Sequence, residues 1–160
     1  MNRFISLALI LVVFASHALA NPVVDKAAVL AISDEMTAAT KSGDMAVFEK
    51  YLYPGTRIVV DMDPTNSGGQ IEISYEDYMA LIEMALGAME NAQIHDELIS
   101  VSVDEAKNEA TVEQKTTATL EMLGVKMRDV SINKTTYGVV DGRIKVLYAE
   151  DQLISSGPVE

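Results

Sequence analysis

Cysteine and tryptophan are both missing from this 160-residue chain, proline occurs four times and histidine twice. Without cysteine there can be no disulfide, no thiolate nucleophile, no iron–sulfur cluster and no Cys-based zinc site. Basic side chains are also scarce, with 12 Lys and Arg against 24 Asp and Glu and a net charge of −12. So acidic a surface repels phosphate backbones and anionic headgroups, which argues against nucleic acid and membrane-surface partners. No Gly-x-Ser-x-Gly elbow is present either, so a serine nucleophile has no context.

What is present begins with MNRFISLALILVVFASHALA. Arg3 supplies a positive start, and the run from Ile5 to Ala15 is apolar but for Ser6. Ala18-Leu19-Ala20 then has the small-x-small form of a cleavage site. The apolar run is short for a membrane span. Residues 1–20 therefore read as a signal peptide cut before Asn21, and residues 21–160 as one domain with no membrane attachment after cleavage. Loss of Arg3 makes the charge one unit more negative. An exported chain without disulfides points to a periplasmic or secreted protein of a bacterium.

The mature chain changes period once. Val24, Ala28, Ile32, Met36 and Ala39 recur at helical spacing, so a helix is expected over Val23–Ser42, stopped by Gly43. Asp44 is placed to cap a second, short helix carrying Met45, Phe48 and Leu52 inward, ended by Pro54-Gly55. TRIVVDM, Thr56–Met62, is rich in β-branched residues and reads as a strand. Ser74-Tyr75-Glu76-Asp77 has the form of a capping box, opening a third helix with Tyr78, Ile82, Ala85 and Met89 on its buried stripe.

From Gln93 onward the pattern is that of strands. Four are expected, over Gln93–Asp104, Ala110–Leu123, Val125–Val140 and Arg143–Ile154, with a hairpin turn at Asp141-Gly142. Strands segregated from helices give an α+β domain. Strands of up to about 16 residues should bend or bulge, because ordinary ones run closer to 5 or 6.

On these residues the chain resembles a known family. TAATKSGDMAVFEKYLYPGTRIVVDMDP is similar to the helix–Gly-Asp–helix–strand opening of the nuclear transport factor 2-like superfamily. YGVVDGRIKVLYAEDQ is similar to its final hairpin, with an acidic residue late in the last strand. The resemblance spans about Val23 to Leu153. It implies a cone-shaped domain, a strongly bent and mainly antiparallel sheet wrapped around N-terminal helices, with a pocket between them. It also implies a homodimer through the outer face of the sheet. The relatives include ketosteroid isomerases, polyketide cyclase-like enzymes, scytalone dehydratases and non-catalytic members, so fold alone does not deliver function.

Asp63-Pro64 stands where the isomerase-like members carry their general base. Such a base also needs a donor aimed at the developing enolate oxygen. The family's tyrosine comes about seven residues before the Gly-Asp turn, and counting back from Gly43 lands on Met36, which can donate nothing. Asp61, Asp63 and Asn66 are out of register for a calcium loop, so no metal and no cofactor is expected. Asp61 and Asp63 otherwise read as a rim, with the run from Pro64 to Gly69 a loose lip. His95, the one histidine after cleavage, could pair with Asp61 or Asp96 as an acid–base couple.

In TVEQKTTATLE, Thr111, Glu113, Lys115, Thr117, Thr119 and Glu121 share an outward face, solvated or paired with a second subunit. Gln114 and Thr116 fall on the inner face, and Tyr78 and Tyr148 complete the expected ligand pocket. Eight methionines after the signal, beside Phe48 as the one phenylalanine, suit an adaptable apolar lining. Three readings stand. The leading one is an exported domain binding a small, partly apolar ligand without isomerase chemistry. The second is a lyase or isomerase using Asp63 or an Asp61–His95 pair. The third is an assembly module that recruits a protein partner through its sheet.

Overall fold

The computed structural model describes residues 21–61, 69–88, 92–122 and 124–159. The signal segment, Asp63 with the lip around it, and Met89 lie outside the described residues. Helix α1 covers Lys26–Ser42, α2 Met45–Tyr51 and α3 Tyr75–Ala88. The strands are β1 Arg57–Asp61, β2 Ile71–Ile73, β3 Gln93–Asp104, β4 Glu109–Met122, β5 Val125–Val140 and β6 Arg143–Pro158.

The helix ends follow from local chemistry. The first helix starts three residues later than its apolar period suggests, because the Asp25 carboxylate accepts from the Ala28 N–H at 2.8 Å and so caps it. Val24 is instead held outside the helix. Its N–H donates to Asn108 Oδ1 at 2.8 Å, while Asn108 Nδ2 donates to the Pro22 carbonyl at 3.0 Å. Gly43 ends α1 in the left-handed region at φ 73°, its N–H bonded to the Ala39 carbonyl. Asp44 caps α2, and the Ser74 hydroxyl accepts from the Asp77 N–H at 3.0 Å to open α3.

The strands form one sheet in the order β2-β1-β6-β5-β4-β3, and every neighbouring pair is antiparallel except β1 with β6. The expected meander is present. Two features go beyond its alternation pattern. Three-residue β2 is too short to leave a period, and it pairs along β1 through Ile58–Ile73. The last strand runs on to Pro158, past a bulge at Ile154, because its far end pairs with Met127 to Val130. Further bulges fall at Ile99 and Leu147, so the expected bending takes the form of three single-residue insertions.

The helices cover one face. Val29 and Ile32 of α1 with Phe48 of α2 pack on Ala110, Val112, Tyr137, Val146 and Ala149 of the sheet. A polar clamp fixes α2 to α1: the Tyr51 hydroxyl and the Lys50 ammonium both donate to Glu35, with Lys50 4.6 Å above the Tyr51 ring. Thr56 joins the following loop to the sheet. Its hydroxyl donates to the Val146 carbonyl at 2.7 Å and accepts from the Tyr53 N–H at 3.1 Å, in a buried position. Thr56→Val keeps the shape and strands both groups, so it should cost about 1–3 kcal/mol in urea denaturation. A loss below about 0.5 kcal/mol, the range of ordinary surface changes, would show that the contact is dispensable.

Candidate functional site

The strand register assigns side chains to rungs across the helix-covered, concave face. One rung is almost wholly apolar: Val101, Val112, Thr135, Ala149, Ile58 and Ile73. The next reads Leu98, Gln114, Asn133, Asp151, Val60 and Ile71, and the one beyond it Asp96, Thr116, Ser131 and Leu153. An apolar floor thus gives way to two polar rungs in the middle of the sheet.

Polar groups withdrawn from water must bond to one another, and here they do. The Ser33 hydroxyl of α1 donates to Gln114 Oε1 at 2.7 Å. Thr37, one helical turn further, donates to Asp96 Oδ2 at 2.9 Å. Thr116 donates to the other Asp96 oxygen at 2.7 Å and accepts from Asn133 Nδ2 at 2.8 Å. Helix α1 is therefore seated on β3 and β4 by directional contacts as well as by packing. Next along the rung, burial raises the Asp151 carboxyl above the usual aspartate range, against a lowering hydrogen bond from Ser131. Tyr78 of α3 faces the same group, and its phenol is pushed up by burial and then by the Asp151 charge. Asp129 adds a buried Oδ1 with no hydrogen-bond partner among the described residues. Among the described residues, no set of three His, Asp or Glu side chains converges as a metal site.

Of the residues expected to form the pocket, Tyr78, Gln114 and Thr116 gather on this face. Tyr148 does not. The bulge at Leu147 shifts the alternation of β6: Val146 pairs with the inward Tyr137, but Tyr148 pairs with Thr136 and points to the convex side. There its hydroxyl donates to Glu150, and the Arg57 guanidinium lies 5.7 Å from its ring.

The Asp61–His95 couple is also not assembled. Their strands are four spacings apart in the sheet, roughly 19 Å along it. His95 is exposed and opposes Thr117 on the convex side, while neighbouring Asp96 turns inward to Thr37 and Thr116. Asp61 is not a solvent rim residue: it is 3 % exposed, pairs with Gln152, and alternates onto the side of Arg57 and Val59. Asp63 lies outside the described residues. Sequence reasoning missed Ser33 and Thr37, although two hydroxyls one turn apart beside Ile32 and Met36 were the available signal. It noted an acidic residue late in the last strand without assigning Asp151 a place.

Compared by sequence, the chain matches no family model and no curated relative. Compared by structure, it matches many solved chains. An NTF2-like protein from Cytophaga hutchinsonii superposes at a TM-score of 0.60 with 12% identity, covering 81% of this chain and 98% of its own. A scytalone dehydratase-like protein from Novosphingobium aromaticivorans gives 0.64 with 12% identity, over 84% and 87% of the two chains. The hexachlorocyclohexane dehydrochlorinase LinA-type3 from Novosphingobium barchaimii gives 0.62 with 8% identity, over 83% and 88%. With its N-terminal helices laid on the concave face of a mixed six-stranded sheet, this chain has the nuclear transport factor 2-like fold.

Proposed function

We propose that this protein is an exported small-molecule-binding domain that holds a partly apolar ligand on its concave face without isomerase chemistry. The observation that carries the reading is the graded face itself. The apolar rung of Val112, Ala149 and Ile58 adjoins polar rungs at Gln114, Thr116, Asn133 and Asp151. An apolar wall with a few fixed polar groups is the composition of a small-molecule site. Met36 supports the non-isomerase half, since it stands where the resemblance implies a tyrosine donor.

Native mass spectrometry of protein purified from its own periplasm tests this. The expected species starts at Asn21 and carries a bound small molecule, lost or weakened at least tenfold in Gln114→Leu. Protein that begins at Met1 would refute export, and a bare chain from every preparation would refute resident binding.

One observation favours an enzymatic alternative. A carboxyl held toward its protonated form beside a tyrosine is equipped for acid–base work. A lyase or isomerase would then use Asp63, as the sequence suggests, or Asp151. Turnover of a dienone and hydroxy-ketone panel that vanishes in Asp63→Asn or Asp151→Asn would establish it.

A further inference from the structure

The convex face carries a depression of its own, and Tyr148 is part of it. Its volume is about 380 Å³, at the low end of the roughly 300–1,000 Å³ typical of small-molecule sites. Hydroxyls from three adjacent strands line it: Ser102 of β3, Thr111 of β4 and Thr136 of β5. Thr111 and Thr136 share one hydrogen bond of 2.9 Å. Whichever donates, the other keeps its own proton, so the pair still offers a donor and spare lone pairs to a guest.

Tyr148 closes one side. The bond from its hydroxyl to Glu150, 2.9 Å long, fixes the ring. Arg57 flanks the ring from the β1 side, and the depression lies on the Thr136 side. The charged lining balances in formal count, Asp104 and Glu109 against Lys107 and Lys134. Lys107 pairs with Asp104 at 3.3 Å, and Lys134 stands in register between Glu113 and Glu150. Glu109 adds a carboxylate at the edge. A free anion would meet that carboxylate, and a cation would meet the two ammonium groups. What remains unspent is a row of hydroxyls beside an aromatic ring.

We propose that this convex depression binds a neutral, polyhydroxylated ligand of saccharide size, hydrogen-bonded by Ser102, Thr111 and Thr136 and packed against Tyr148. Hydroxyls that both donate and accept match the mixed donor and acceptor rim of a sugar. The C–H face of a sugar ring covers an aromatic side chain without stranding polar groups. The site is separate from the concave face, because the sheet lies between them.

The test is amide chemical-shift titration of the isotopically labelled protein with glucose, N-acetylglucosamine, maltose and myo-inositol, with phosphate and spermidine as charged controls. At least one neutral probe should shift the amides of Thr111, Thr136 and Tyr148 saturably. The affinity should fall at least tenfold in Thr111→Val/Thr136→Val, which preserves side-chain shape, and in Tyr148→Ala. If Tyr148→Ala does not fold, the threonine pair alone decides. Shifts from phosphate or spermidine alone would overturn the proposal, as would neutral-probe shifts that persist in the threonine variant. It also fails if the same amides respond to protein concentration instead of sugar, because a second copy would then be covering this face.

Discussion

Asp151→Asn should make the protein more stable at pH 7, and the gain should disappear on acidification. Burial raises the folded-state pKa of this carboxyl, whereas in the unfolded chain it titrates near the ordinary value of about 3.9. Between those two values the native state holds the proton that the unfolded state has lost. Stability contributed by this group therefore falls as pH rises through the window, and the penalty is complete above it. Asparagine keeps the shape and the neutral charge, so it escapes the penalty at every pH.

Urea midpoints of the two proteins, measured from pH 3 to pH 8, should coincide below the ordinary aspartate range and separate above the folded-state value, with the variant higher. A variant less stable at pH 7 would mean that the ionised carboxylate is itself stabilising, and would remove Asp151 from the list of groups held for function. The expected sign matters because a residue that costs stability in the middle of a cleft is what an acid–base or ligand-recognition role leaves behind.

The largest loss of stability is expected from Ile58→Ala. Ile58 is 1 % exposed and lies on the apolar rung, between Ile73 of β2 and Ala149 of β6. It is held where β1 runs parallel to β6. Truncating a buried isoleucine costs about 2–5 kcal/mol through lost transfer energy and the cavity left behind. Against a total of roughly 5–15 kcal/mol for a domain, that is a large fraction. Urea denaturation followed by circular dichroism should record it with an unchanged slope. A loss under about 1 kcal/mol would show that the apolar rung collapses around the gap and is soft.

Much of this protein is settled by contacts within a few residues, and those parts were legible without coordinates. Asp44 caps α2 because its carboxylate reaches the N–H of Ala46, two residues on. Gly43 can take φ 73° because it lacks a Cβ, and Asp141-Gly142 makes a tight turn for the same local reason, both residues having positive φ. The alternation along β4 put Gln114 and Thr116 inward, where Ser33 and Asp96 meet them. The order of elements, and with it the α+β class, follows from such signals.

The site needed the assembled sheet. A single inserted residue, Leu147, reverses the facing of Tyr148, and a bulge leaves no local mark in an alternating pattern. Gly138, across the ladder, has room for Leu147 only because it has no side chain: a Cβ there would lie 2.5 Å from Leu147 Cδ1. That accommodation links residues nine apart on different strands. The parallel pairing of β1 with β6 brings Val60 beside Asp151 across about ninety residues of chain, and it separates Asp61 from His95 by the width of the sheet. The raised Asp151 carboxyl has the same origin. Its cause is enclosure by α3, β5 and β6 together, and desolvation belongs to the packed volume rather than to any stretch of sequence.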